Sequence, residues 1–380
     1  MTIKRVSLIL LSSWIVLLAG CGGNSNVVIS GSPTPTPTPC VPAATTVFAY
    51  ALTGNNVSMF TQDSCTGTFS STIPPIATGP SQFNSEEMVV DSSGKFAYVA
   101  NLESNATPIS KISMYTINPT TGALTPTTPP TVATGWFPQG IAIAPSGKFV
   151  YTANTDDATV SMFTADAVTG VLTPTTPPSV PAGLNAVSVT VDPSSRFLYC
   201  ANRSGNIVSM YTINATTGVL TPMTPPTVVA GGDNFQVAID PTGKFAYVPD
   251  NLFNLVWQYT IDQVTGNLKP DNPTFVASGP GPTSVAVDHS SKFAYAVNRQ
   301  NNTLSMYTIN ATTGNLTPNG VIPTGSQPFR VLFDPNGRFL YVVNEQGPAS
   351  VYTVNSDGTL TNTNNTAGGA ALSMAFAVKK

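Results

Sequence analysis

A phrase of the form Asp-Pro-Thr-Gly-Lys-Phe-Ala-Tyr, most complete at 240–247, recurs seven times in this chain of 380 residues. Its copies end at Tyr50, Tyr98, Tyr151, Tyr199, Tyr247, Tyr295 and Tyr341, with successive spacings of 48, 53, 48, 48, 48 and 46. A unit of that length cannot bury a core alone and must stack on its neighbours. Each unit reads as four short strands. Val237–Asp240 stands for the first, Lys244–Val248 for the second and Val208–Ile213 for the third; the fourth follows Gly218 and runs through Pro225-Pro226. Apolar and polar residues alternate in the strand period. Pro-Thr-Gly and Ala-Thr-Thr-Gly supply the turns between them. The first unit opens on a second-type strand near Val47–Leu52, and the chain ends on a lone first-type strand, Ser373–Val378. These two orphans predict that one blade is shared between the termini. The expected fold is therefore all-β, a seven-bladed propeller of four-stranded blades over residues 45–380, closed by pairing of the N- and C-terminal strands.

The N-terminus has a different character. Lys4-Arg5 precede an apolar stretch from Val6 to Leu18 that is short for a membrane span. It ends in Leu18-Ala19-Gly20-Cys21, which resembles a bacterial lipobox. The resemblance implies a signal peptide at 1–20, cleavage before Cys21 and a lipid on its thiol. The membrane is then a partner through that anchor, and the address is the cell envelope, with Gly22 pointing to the outer membrane where the cell has one. Residues 21–44 form a tether whose Pro-Thr run, Pro33 to Pro39, favours extended polyproline II. In an oxidising compartment Cys40 and Cys65 are either a disulfide or two free thiols. Cys200 stands where other units carry Val or Ala and reads as a small buried apolar residue.

Charged residues make up only 9% of the chain and the net charge is -3, with no basic run before Lys379-Lys380. That composition excludes a nucleic-acid partner as the expectation. No Cys or His cluster has metal-site spacing, so neither metal nor cofactor is expected, and nothing demands more than a monomer.

The phrase Asn202…Val208-Ser-Met-Tyr-Thr-Ile-Asn-Ala-Thr-Thr-Gly-Val-Leu-Thr221 resembles the lactonase family of seven-bladed propellers. That family includes 6-phosphogluconolactonases and fungal carboxymuconate cyclising enzymes, which are thought to use a His, a Glu and an Arg. The resemblance implies the fold over 45–380, and lactone chemistry as one function. Glu87 and Arg330 are conceivable counterparts, whereas the single histidine, His289, falls in a repeated turn.

Antiparallel order places the turns between first and second and between third and fourth strands on one face. That face is repetitive and reads as scaffold, including Lys95, Lys148, Arg196, Lys244, Lys292 and Arg338. The other face varies and carries an insertion near Leu102–Pro108. Binding groups gather on variable loops held by a rigid frame. The candidates there are Arg203, Arg299, Asp233, Phe235 and Trp136. The residues opening the first strands, Glu87, Gly140, Ser188, Gln236, Ser284, Arg330 and Ser373, should ring the central channel, with Glu87, Gln236 and Arg330 as its polar groups. Two functions fit. One is a scaffold that binds a glycan, a small molecule or an envelope protein. The alternative is hydrolysis of an extracytoplasmic sugar lactone, with Glu87 as general base and Arg330 holding the oxyanion.

Overall fold

The Phe-x-Tyr phrase forms the second strand of every sheet, and nearly every residue of those strands is buried. A computed structural model describes residues 45–78, 85–102 and 110–379. The signal sequence, Cys21, the tether with Cys40, and most of the insertion after Leu102 lie outside the described residues. The strands form seven antiparallel sheets of four strands each, with no helix among the described residues. Blade 1 joins Val47–Thr53, Asn56–Gln62 and Phe69–Ala77 to the C-terminal Ser373–Val378. Blades 2 to 7 follow in order over 85–133, 138–181, 186–229, 238–277, 282–323 and 326–367. Tyr50 pairs with Ala375 and Ala49 with Phe376, so the two chain ends close the ring as the orphan strands predicted. The fold is a seven-bladed β-propeller.

The apolar core is divided into seven clusters, each lying between two successive blades. A repeated latch spans each of these seams. The hydroxyls of Tyr50, Tyr98, Tyr151, Tyr199, Tyr247, Tyr295 and Tyr341 donate to the carbonyls of Gly122, Gly170, Gly218, Gly266, Gly314, Gly358 and Gly67, at 2.6–3.0 Å. Every acceptor belongs to the next blade's turn between third and fourth strands, and Tyr341 to Gly67 joins blade 7 back to blade 1. These glycines have φ between +72° and +81°, a region that side chains with a Cβ rarely enter. A Cβ on any of them would also lie 2.1–2.8 Å from the Phe that opens the preceding blade's second strand. Phe-x-Tyr and Thr-Gly are thus two halves of one contact.

The remaining repeated residues serve the turns. Asp91, Asp192, Asp240, Asp288 and Asp334 each use Oδ1 to accept from the backbone N–H groups four and five residues on. Arg196 and Arg338 donate to Gln263 O and Ser64 O in the next blade's turn. Asn118, Asn214 and Asn310 accept from the N–H groups two and three residues later, which is turn chemistry. His289 is exposed in such a turn, with its ring 5.8 Å from that of Phe333. Cys200 is fully buried and burial pushes its thiol pKa far up, so it is an unreactive core residue.

Replacing Tyr151 by Phe leaves the Gly218 carbonyl without its partner and should cost about 1–2 kcal/mol. Gly218→Ala should cost more, about 3 kcal/mol, because left-handed backbone and overpacking against Phe149 add together. Urea unfolding midpoints of the two variants test that order.

The latch tyrosines all have pKa values raised by burial above the ordinary tyrosine value of about 10. The unfolded chain therefore ionises first as pH rises, and the stability contributed by the neutral phenols is lost above about pH 10. Absorbance of tyrosinate and circular dichroism should change together in one steep alkaline transition, not in a smooth titration that leaves the sheet signal intact.

Candidate functional site

A repeat supplies its own reference, so departures from it locate special chemistry. Five blades carry at or near the end of their second strand a buried Asn whose Nδ2 donates to a third-strand Ser at 2.8–3.1 Å: Asn101 to Ser113, Asn154 to Ser161, Asn202 to Ser209, Asn298 to Ser305 and Asn344 to Ser350. The residue after that Asn enters the variable face. Thr155, Arg203 and Arg299 occupy this position, and their N–H groups donate at 2.9 Å to the carbonyls of Phe137, Asn185 and Gly281. Those acceptors share a left-handed backbone with Asp233 and Gln327, three residues ahead of the channel ring. The scaffold thus sets two facing rows on consecutive blades: Arg203, Asn251, Arg299 and Glu345 on one side, Asn185, Asp233, Gly281 and Gln327 on the other.

Blade 5 departs furthest. Asp250 and Trp257 replace the Asn and Ser, and Trp257 Nε1 donates to Asp250 Oδ2 at 3.0 Å. Asp250 is fully buried, and its Oδ1 accepts from Phe253 N at 3.0 Å. Gly231 fits only because it lacks a side chain, since a Cβ there would lie 2.1 Å from Asp250 Oδ2. The first strand of this blade shrinks to Ala238–Ile239, and the released segment presents Asp233, Phe235 and Gln236.

Over blades 4 to 7 these rows enclose an open cleft of about 470 Å³ lined by Arg203, Phe235, Asn251, Arg299, Gln300, Asn302, Ser326 and Gln327. Its two guanidinium groups are similarly mounted. Arg203 pairs with Asp233 of the next blade and lies 4.4 Å from the Phe235 ring centre. Arg299 pairs with Glu345 of the next blade and lies 5.7 Å from the Phe329 ring centre. Phe235 and Phe329 meet edge to face at 5.9 Å. The arginine side chains remain 41% and 39% exposed, so donors are left for a ligand. A volume of this size suits a small molecule.

The channel ring sits beside the cleft and is largely engaged in joining blades. Ser373 Oγ accepts from Met88 N, Glu87 Oε2 from Ile141 N, Gln236 Oε1 from Val285 N and Ser284 Oγ from Val331 N, at 2.9–3.3 Å. Each bond reaches the next blade. Glu87 Oε1 also binds Arg330 Nη1 across the mouth. Arg330, Gln236, Ser284, Thr283, Phe235 and Phe329 border a small cavity of about 20 Å³.

Of the residues singled out by sequence, Arg203, Phe235 and Arg299 line the cleft, Asp233 supports it, and Gln236 and Arg330 border the adjoining cavity. Trp136 is 42% exposed on the variable face and is not part of the lining. Cys65 is disulfide-bonded; its expected partner Cys40 lies outside the described residues. The amides Asn251, Gln300, Asn302 and Gln327 went unnoticed, as did the exchange of the Asn–Ser pair for Asp250 and Trp257. Aligning the residues that end the second strands would have exposed Asp250 as the odd member.

A sequence model of the seven-bladed β-propeller lactonases matches residues 43–189, 173–285 and 271–376. The chain belongs to that family. Similar solved structures include a candidate 6-phosphogluconolactonase from Bacteroides fragilis, 18% identical over 87% of this chain and 98% of that one, TM-score 0.72. A second, from Bacteroides uniformis, is 19% identical over 88% and 100%, TM-score 0.73. The periplasmic gluconolactonase of Pseudomonas aeruginosa is 17% identical over 88% and 99%, TM-score 0.72. No curated protein matches in sequence. At these identities the likeness speaks for the fold of this lactonase-family propeller, and its activity has to be argued from the site.

Glu87→Ala leaves Arg330, 23% exposed, without its counter-charge, and should destabilise the propeller by about 2–4 kcal/mol. Adding Arg330→Met should restore most of the loss. Removing the exposed pair Lys269–Asp262 should leave stability nearly unchanged. Denaturant midpoints of the three variants against the unmodified protein give the comparison.

Proposed function

We propose that this chain is an exported, lipid-tethered propeller that binds a small polyhydroxylated ligand, a sugar acid or its lactone, in the cleft over blades 4 to 7. The observation that carries the reading is the pairing of two Phe-backed guanidinium groups with Asn251, Gln300, Asn302 and Gln327 around one 470 Å³ space. Planar amide and guanidinium groups hydrogen-bond to hydroxyl, carbonyl and carboxylate oxygens with fixed direction, and a sugar ring can lie against an aromatic face. The export part of the proposal rests on Lys4-Arg5, the apolar stretch and Leu18-Ala-Gly-Cys21, with the lipid on Cys21 and the tether holding the propeller off the membrane.

Lactone hydrolysis is the second reading, favoured by membership of the lactonase family. It needs a carboxylate free to take a proton from water. Glu87 already accepts from Arg330 and from Ile141 N–H. Asp233 and Glu345 are also ion-paired, with the cleft arginines, but they stand beside the cleft, are more exposed than Glu87 and accept from no backbone N–H among the described residues, so proton abstraction falls more naturally to them.

Calorimetric titration with gluconate, glucuronate, 1,5-gluconolactone and glucose tests the first reading. The acids and the lactone should bind, and Arg203→Gln or Arg299→Gln should weaken binding roughly 10- to 100-fold, the loss of one charge-assisted contact. Equal binding by both variants would overturn it. Lactone turnover that survives Glu87→Gln and disappears in Asp233→Asn or Glu345→Gln would establish the second; no turnover of any lactone would leave binding alone.

A further inference from the structure

Beside the polar cleft, blade 5 carries two apolar side chains that the fold leaves uncovered. Leu252 and Phe253 are 63% and 60% exposed, and they follow directly on Asn251, which lines the cleft. Exposed apolar side chains scattered singly need no explanation, but adjoining ones at the rim of a cleft do.

Their placement is built in. Asp250 caps their turn, accepting from Phe253 N through Oδ1, while its backbone carbonyl accepts from Asn254 N at 3.0 Å. Leu252 and Phe253 lie over Gly232, where a Cβ would come within 2.9 Å of Leu252 Cδ2 and 3.3 Å of Phe253 Cε2. At the corresponding position in blades 3, 4, 6 and 7 stand Trp136, Leu184, Pro280 and Ser326, where blade 5 has bare backbone. Asp250–Trp257 below, Gly231-Gly232 in the middle and Leu252-Phe253 above make a fixed apolar shelf. The shelf meets the cleft at Asn251, and the same segment that carries Gly231-Gly232 continues into Asp233 and Phe235.

We propose that the ligand is amphiphilic: an oxygen-rich, acid- or lactone-bearing head in the Arg203–Arg299 cleft and an apolar arm lying over Leu252 and Phe253. This rests on the cleft being the ligand site. The continuity of a donor-rich cleft with an apolar rim commits the shelf to part of the same small molecule. A separate protein surface would not need the shelf to join the cleft floor through Asn251.

The test compares glucuronate, hexyl β-D-glucuronide and hexyl β-D-glucoside by calorimetry on the purified protein. An alkyl arm with one side on an apolar shelf should tighten glucuronide binding roughly thirtyfold over glucuronate. Leu252→Ser with Phe253→Ser should remove that gain and leave glucuronate binding unchanged. Arg299→Gln should weaken glucuronate and hexyl glucuronide alike, and the glucoside should bind more weakly than the glucuronide. Glucuronate binding with no gain from the hexyl group overturns the shelf and leaves the cleft standing. A gain that survives the double serine change also overturns it. Binding of neither glucuronate nor its hexyl derivative overturns the cleft reading and the shelf with it.

Discussion

The tyrosine hydroxyl that crosses each seam to a glycine carbonyl is the contact on which the ring depends. A blade here has no core of its own: its second strand is buried only because neighbouring blades cover both faces. The latch sets how closely two blades approach. It needs three residue types at once, a Tyr to reach across, a Phe to fill the space and a Gly that accepts the Phe against its backbone. Seven copies of a contact of about 1 kcal/mol each are small beside the apolar burial. Their value is directional. Burial alone would tolerate sliding of one sheet over the next, and the latch does not.

That division of labour explains why the fold was legible in the sequence and the site was only half so. Every latch uses the same residue types, so Phe-x-Tyr is printed seven times, the turn glycine follows Thr in six copies and Asp357 in the seventh, and the period follows. The shared blade was legible too, because Val47–Leu52 lacked a preceding partner and Ser373–Val378 lacked a following one. Arg203, Arg299, Asp233 and Phe235 stood out as charges and rings that do not repeat. Register placed Glu87 and Arg330 at the channel mouth, but register carries no information on reach. In the folded chain the pair is joined across Ser373, and the second oxygen of Glu87 is held by Ile141. The amides of the cleft were hidden for a different reason. Asn and Gln abound in the turns of this chain, so composition cannot distinguish an amide that ends a turn from one that faces a ligand.

The channel ring shows how a position that looks free becomes structural. Side chains at this position in blades 1, 2, 5 and 6 accept from the first N–H beyond it in the next blade. Ser, Glu and Gln all satisfy that geometry, since each offers an oxygen at a different reach. Gly140 has no side chain, and there the next backbone closes in until a Cβ would lie 2.7 Å from Ser188 Cα. Variation along this ring therefore reflects several solutions to one joining problem. It is weaker evidence for a ligand than the variation at Arg203, Asn251 and Arg299, whose backbones the frame already holds and whose side chains it does not require.

Distance along the strand then separates the two demands on the molecule. Tyr199 and Arg203 lie four residues apart, roughly 13 Å at the strand rise, with the latch at one end and the cleft at the other. In between, Asn202 binds Ser209 and fixes where the strand stops. A substitution at Arg203 alters the cleft without touching a seam, and one substitution on each of four consecutive blades suffices to compose a different site. Blade 5 goes further by exchanging the Asn–Ser pair itself for Asp250 and Trp257, which shortens its first strand and frees Asp233, Phe235 and the Gly231-Gly232 backbone. The frame tolerates this because Tyr247 still reaches Gly314 and Tyr199 still reaches Gly266. Chemistry is added where the repeat is broken at its variable end, and the unbroken latch at the other end is what makes breaking it affordable.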